Sequence, residues 1–433
     1  MQLLRRTAGQ ARDQGKKGVA LLMALIMIVL MTAYISEFNY SARARILSAA
    51  HARDDMRALY LARSGIRVYM LLLSFGNQIA GNQFVQGMLS QFGMSLDGAT
   101  MICKDLPFFD TAMLRFLVGA ESMTSDEKEE GVMELLGMGG ADGEADQPTS
   151  SSVNAIGMED TPSLRRGLLD FEGDFKVECS DETSKIDING LAEPSFFTVG
   201  LQQNPIALML YGQMSPQEYD PLFEERLKID RWELIANLKD YIDPDEQRSH
   251  TFGGDEGRQY DDFEPRYKPK DRLFDTVQEA RMVAGVTDEV FATFGPGWSV
   301  HNRSYQVNVN TASPAIIRAL VRAVSSPIMS DQMIDARMPP LMVERMIIPF
   351  TNAKQFTQRI QQPSMGSGAA PPVPGIMLNP DPTVVERIEK LIRTKSDVFR
   401  MTSTGYIGDS ARTMDVTIRM RRSTPRYLDW RER

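Results

Sequence analysis

Cysteine and histidine are scarce in this chain, with two and three copies in 433 residues. Cys103 and Cys179 stand apart, without the CxxC or Cys/His spacing that a structural zinc site needs. An oxidising compartment would allow them to pair, but two free thiols fit the sequence at least as well and are the expectation. His51, His250 and His301 leave little material for histidine-based metal or acid–base sites, and each reads as a structural or surface residue. Excess positive charge is also missing: 48 Lys and Arg stand against 57 Asp and Glu, a net charge of −9. That balance argues against a general nucleic-acid binder. No nucleophile elbow is present, since neither Ser64-Gly65 nor "GPGW" forms one, and no histidine accompanies a Ser or Cys motif. A membrane-tethered hydrolase would need a pocket that the sequence does not disclose. The length suits roughly two to three domains.

What is present begins with "KKGVALLMALIMIVLMTAYI", Lys16 to Ile35. Ahead of Gly18 lie Arg5, Arg6, Arg12, Lys16 and Lys17 against one acid, Asp13. Such a leader is expected to stay cytoplasmic while the following chain crosses the inner membrane once. Val19 to Ile35 has only Thr32 and Tyr34 as polar-capable groups, and at 1.5 Å per residue it spans roughly 25 Å, slightly short of a hydrocarbon core. A cleaved secretory signal fits poorly, because no small-x-small site with turn residues follows. The chain instead continues as a helix-like stretch rich in Ala, Arg and Leu. Ile46, Ala50, Met56, Leu59 and Arg63 recur at helical spacing. One helix from Val19 to Phe75 would measure about 85 Å.

These features resemble the type IV pilin and pseudopilin family, in which a prepilin peptidase cuts after the glycine that closes a basic leader. The resemblance implies cleavage between Gly18 and Val19, methylation at Val19, and a retained helix in which Leu21, Met23, Leu25 and Ile28 serve membrane anchoring and assembly. Most members place glutamate at the fifth mature position, where it neutralises the amino terminus of a neighbouring subunit in low dielectric. Met23 stands there instead. A subunit without that carboxylate fits best where no subunit lies ahead of it, at a filament tip. It also avoids an unpaired glutamate in lipid.

Beyond the helix, residues 97–165 are acidic and rich in Gly, Ser and Met, as expected of an insertion or loop. "ICKDLPFFDTAMLRFLVG" reads as a helix folding back. Phe175, Val177 and Cys179 alternate with charged residues, and so do Ile186 and Ile188. The period of two with a polar turn between predicts a hairpin. Met414, Val416, Ile418 and Met420 alternate likewise, with "SDVFRMTSTGYI" as the expected partner strand. The strands bracket a helical middle. There Leu234, Leu238 and Tyr241 mark one apolar face, Thr276 and Glu279 a capping box, Gly285 a helix stop, and Thr287 and Ser313 helix starts.

Four segments in that middle, "LKDYIDPD", "GGDEGRQY", "VQEARMVAGV" and "QVNVNTASP", follow in the order found in the general secretion pathway protein K family. Their order behind a pilin-type leader is similar to that family over nearly the whole chain except residues 97–165. The implied fold is α+β: a long transmembrane helix on a small antiparallel sheet, the pilin fold, with a large inserted all-α domain of two tandem helix-hairpin-helix (SAM-like) units. The corresponding divisions are a leader at 1–18, the helix at 19–75 with its membrane half at 19–35, a helical segment and acidic insertion at 76–167, strands at 168–199, helical subdomains at 200–300 and 301–395, and strands at 396–433. The implied role is structural rather than enzymatic: a minor pseudopilin at the pseudopilus tip, with its head in the periplasm. Its implied partners are minor pseudopilins I and J, other pseudopilins and the prepilin peptidase.

Asp240, Asp243, Asp245, Glu246, Asp255, Glu256, Asp261 and Asp262 crowd one glycine-containing stretch. Like charges this dense repel unless solvated or bridged by a cation. Carboxylates on a flexible loop suit calcium better than zinc or magnesium, although the EF-hand spacing is missing. A solvated loop, with Asp243 and Asp245 merely ending a helix, is the competing reading. The protein K resemblance implies calcium here, with Asp243, Asp245 and Glu256 as the main ligands and Asp255 and Asp240 next. The alternative function is a membrane-anchored helix-hairpin-helix DNA-binding protein of a competence-like system. Such a protein needs cations at its hairpins. Residues 200–300 hold 11 Lys and Arg against 20 Asp and Glu, and "VAGVTDEV" offers Asp288 and Glu289 to a phosphate. No nucleic-acid partner is therefore expected.

Overall fold

The computed structural model describes residues 2–80, 98–119, 172–194, 200–249, 256–261, 263–364, 372–421 and 424–433, with side chains undescribed at 2–20 and 116–119. Helix α1 runs unbroken from Gln2–Ala80, 79 residues. It passes through Gly18 and beyond Phe75, so it is longer at both ends than the apolar and amphipathic patterns together predict. From Leu21 onward it is long and apolar enough to cross a membrane. Leu21, Met23, Leu25 and Ile28 each expose more than half of their surface, as expected of a segment whose natural cover is lipid.

The helix face that packs differs from the face its periodicity suggests. Ile46 and Met56 are exposed, whereas Ala58, Ala62, Ile66, Tyr69 and Leu73 are fully buried. Large apolar side chains at 46 and 56 lie beyond the reach of the sheet. Small residues make the closest contact because a strand backbone comes right up to the helix there. The contact strand is β7 (Val398–Ile407). A Cβ on its Gly405 would stand 2.0 Å from the carbonyl oxygen of Ala58, so only glycine permits this approach.

The sheet has five antiparallel strands in the order β1-β2-β7-β8-β9, where β1 is Phe108–Asp110, β2 Asp174–Asp181, β8 Ser410–Arg421 and β9 Thr424–Glu432. Phe175, Val177, Phe399, Met401, Met414, Val416, Ile418 and Met420 face α1 and close one apolar core with it. The segment expected to fold back forms helix α2 (Gly98–Asp105), strand β1 and helix α3 (Thr111–Gly119). Cys103 of α2 and Cys179 of β2 are joined by a disulfide across 76 residues. The free thiols expected from the sequence are therefore corrected to a disulfide. Residues 120–171, most of the expected insertion, lie outside the described residues.

The expected hairpin between 175 and 188 does not form. β2 pairs with β1 and β7, while Ile186–Asp187, strand β3, pairs in parallel with β4 (Trp298–Ser299). The polar turn explains the difference. Asp181 accepts a hydrogen bond from Thr183 N at 2.8 Å and caps a one-turn 3₁₀ helix that turns the chain away from the sheet. Alternation at 186–188 therefore serves a different layer.

The chain leaves the sheet after Asp181 and returns at Val398. Between them lie helices α4 (Pro205–Met214), α5 (Arg231–Asp240), α6 (Asp288–Phe294), α7 (Pro314–Val324), α8 (Asp331–Ile347), α9 (Ala353–Gln361) and α10 (Pro382–Lys390). A second parallel pair joins β5 (Val307–Asn308) to β6 (Ile392–Arg393). One apolar core runs from Ile186 to Ile392 through all of these helices. Helix starts carry side-chain caps: Thr287 Oγ1 accepts from Val290 N and Ser313 Oγ from Ile316 N. Glu279 Oε1 takes Thr276 N at 3.0 Å ahead of a 3₁₀ helix, and Gly285, at φ +87°, reverses the chain after it.

The two parallel pairs are held by matching sets of hydrogen bonds. Asn189 Oδ1 accepts from Phe274 N at 2.8 Å, and its amide donates to the carbonyls of Phe274 and Val300 at 3.0 and 3.3 Å. Asn310 Oδ1 accepts from Phe350 N at 2.8 Å, and its amide donates to the carbonyls of Phe350 and Thr394 at 2.9 and 3.3 Å. Two residues earlier, Asp187 and Asn308 each accept from the following asparagine's N–H at 3.0 Å. The helical insertion thus contains the same side-chain clamp twice.

Candidate metal centre and family

Part of the acidic stretch at and after the end of α5 is buried, while Asp245, Glu246 and Asp261 are exposed as a solvated loop would leave them. Asp230 caps the start of α5 by accepting from Trp232 N, and Leu234, Ile235 and Leu238 bury one face. Pro244 disfavours helix at Asp243 and beyond. The last turn places Asp240 and Asp243, three residues apart, on one side. Glu256 enters from the 3₁₀ helix Glu256–Tyr260. Asp240, Asp243 and Glu256 are all buried, and one carboxylate oxygen from each lies within 4.8 Å of the others. Tyr260 packs against Tyr241, Phe263 and Tyr267 beside them.

The hydrogen bonding of this cluster is incomplete. Asp240 takes Ser249 N on both oxygens at 3.1 Å. Lys239 Nζ stands 2.9 Å from Asp243 Oδ2 and donates to Ser249 Oγ at 2.7 Å. Both oxygens of Asp243 and Oε1 of Glu256 nonetheless lack a hydrogen-bond partner of good geometry. The lysine contact with Asp243 is therefore one of charge more than of direction. Burial, then the carboxylates of Asp240, Asp243, Asp245 and Asp271, push Glu256 up to about 9. Burial, only partly offset by Lys239, pushes Asp243 up to about 6. Two unit charges at such a separation repel by roughly 3 kcal/mol at an effective dielectric of 20. Three buried carboxylates with three orphaned oxygens form a donor set of hard oxygens, which fits a hard divalent cation.

Of the residues singled out by sequence, the fold brings Asp240, Asp243 and Glu256 together. Asp245 is exposed, and its Oδ1 accepts from Gln247 N at 2.8 Å, a turn contact. Asp255 lies outside the described residues. Asp271 was not anticipated. It sits at φ +50°, its N–H and that of Lys270 both reach the carbonyl of Tyr241 at 3.1 Å, and its charge acts on Glu256. Nothing in the local sequence marks it, because it lies 15 positions beyond Glu256 in the chain. Lys239 had a legible signal, four residues before Asp243 on a helix. At the hairpin considered for phosphate, Asp288 and Glu289 are ion-paired with Arg281 and Arg226.

An apolar helix long enough to span a membrane, laid on an antiparallel sheet with a helical domain inserted between its strands, defines an α+β architecture with one candidate membrane span. Residues 187–301, the first of the two clamped units, match the family described as type II secretion system (T2SS), protein K. The match covers 115 of the 433 residues, so it assigns that part of the helical insertion to the protein K family. A chain in the crystal structure of the GspK-GspI-GspJ complex from the enterotoxigenic Escherichia coli type 2 secretion system is similar at 19% identity, over 60% of this chain and 80% of that one, with a TM-score of 0.42. No curated protein matches the chain.

Proposed function

We propose that this chain is a minor pseudopilin of a type II secretion system, seated at the tip of the pseudopilus, where it starts assembly with counterparts of pseudopilins I and J. One observation carries the reading: a protein K domain joined, in one chain, to an apolar pilin-type helix that has Met23 at the fifth place after Gly18. The mechanism is mechanical. Apolar helices below pack side by side in the membrane and the filament shaft. The amine of a subunit ahead would find no carboxylate at Met23, and the inserted helical domain fills the space above. The basic leader favours a cytoplasmic N-terminus, and the Cys103–Cys179 disulfide favours an oxidising, periplasmic setting for the head. Asp240, Asp243 and Glu256 would hold calcium, which supplies the positive charge those buried carboxylates lack and ties the loop after α5 to the 3₁₀ helix at 256–260.

The test is intact-mass analysis of protein extracted from membranes. The expected mass is that of a chain beginning at Val19 with a methylated amine, and a Gly18→Val variant retains its leader. A mass that includes residues 1–18 in the wild type, or a head without its helix, would refute the reading.

A further inference from the structure

The duplicated clamp differs at one functional atom. In the second unit, Asn308 Nδ2 donates to Ser396 Oγ at 2.6 Å. Asp187 holds the same place in the first unit, two residues before the clamp asparagine, but has a second carboxyl oxygen in place of the amide nitrogen of Asn308. Asp187 is 1% exposed. Its Oδ1 accepts from Asn189 N, the backbone N–H of Asn302 also acts on the carboxylate, and its Oδ2 makes no hydrogen bond of good geometry. An ionised carboxylate offers only acceptors, while a protonated one regains a donor. A buried carboxylate with one poorly bonded oxygen costs more ionised than neutral, so a proton on it removes the charge at the position where the second unit uses a neutral amide.

We propose that Asp187 is a proton-binding site: a carboxyl that works in its neutral form, standing in for the amide of Asn308, so that the seam between the helical insertion and the sheet is stable only while the proton is held. The seam is close by on every side. Glu182, in the turn leaving β2, is buried and adds repulsion, and it is itself held by Lys185 Nζ at 2.6 Å and Ser299 Oγ at 2.7 Å. Ser299 pairs with Asp187 across β3 and β4. Arg419 of β8 pulls the other way and donates to the carbonyl of His301 at 3.1 Å. Tyr305 faces Asp187 from the loop before β5. His301 is held toward its neutral form by burial. Among these influences burial is the largest, and Asp187 is raised well above the ordinary carboxyl range.

The sign follows by linkage. A carboxyl whose folded pKa is raised takes up a proton on folding. Its stabilising contribution is complete below about 3.9, the unfolded value, and is lost as pH rises through the folded value. Each pH unit between the two changes the folded-to-unfolded ratio about tenfold. Thermal unfolding of the full-length protein in detergent, with excess calcium, tests this from pH 4 to pH 8. Asp187→Asn should unfold at the same temperature as wild type near pH 4 and at a higher one at pH 8. The reciprocal Asn308→Asp should install the same dependence in the second unit, losing stability at pH 8 and recovering toward pH 4 as its carboxyl again donates to Ser396, whose hydroxyl in turn donates to Asp181. A pH-independent loss in either variant, or an Asp187→Asn protein that fails to fold at any pH, overturns the proposal.

Discussion

At the residue scale, Glu256 is the most constrained side chain of the acidic cluster. It is 2% exposed, one oxygen is unpaired, and four other carboxylates act on it. Glu256→Gln removes one of the repelling charges and keeps the shape. In chelator the variant is expected to unfold at or above the wild-type temperature. In excess calcium the wild type should gain about 2.7 kcal/mol at one hundred times its dissociation constant, and the variant clearly less. Paired thermal scans with calcium and with chelator measure both. An undiminished calcium increment in the variant would show that no ion is held at Glu256. The acidic stretch was legible as a cation candidate from its density of carboxylates. Which acids converge was not, since Asp245 and Asp243 look alike in sequence and differ only because the chain turns outward at Pro244.

At the scale of elements, the helix–sheet contact depends on backbone closeness more than on side-chain size. Gly405 admits Ala58 and Ala62 of α1. Gly405→Val would force them apart at a cost of about 3 kcal/mol or more, the upper range for an overpacked core. The expected outcome is a lowered unfolding temperature with an unchanged calcium increment, since the cation cluster lies in a different core. Circular dichroism melts with and without calcium separate the two effects, and unaltered stability would mean that the helix is not seated on β7. The same contact explains a misreading. Large residues such as Ile46 and Met56 dominate the periodicity, yet alanines make the interface. Alternation near 186 was also real but served the short parallel pair with Trp298–Ser299, because the Asp181 cap is a turn signal that does not say in which direction the chain leaves.

At the scale of the whole molecule, the order of parts was the most legible feature: apolar helix, strand, helical middle, returning strands. Period and composition carry that order. The duplicated asparagine clamp was only half visible, as "DING" and "NVNT", because its partners Phe274, Val300, Phe350 and Thr394 are distant in sequence. The proposed function gives the molecule one place in a filament, with its helix continuing a shaft downward and its inserted domain closing the top. Immunogold labelling of the C-terminal end on isolated pseudopili tests that position most directly. A single label at one end of each filament is predicted, and labels spaced along the shaft would contradict it.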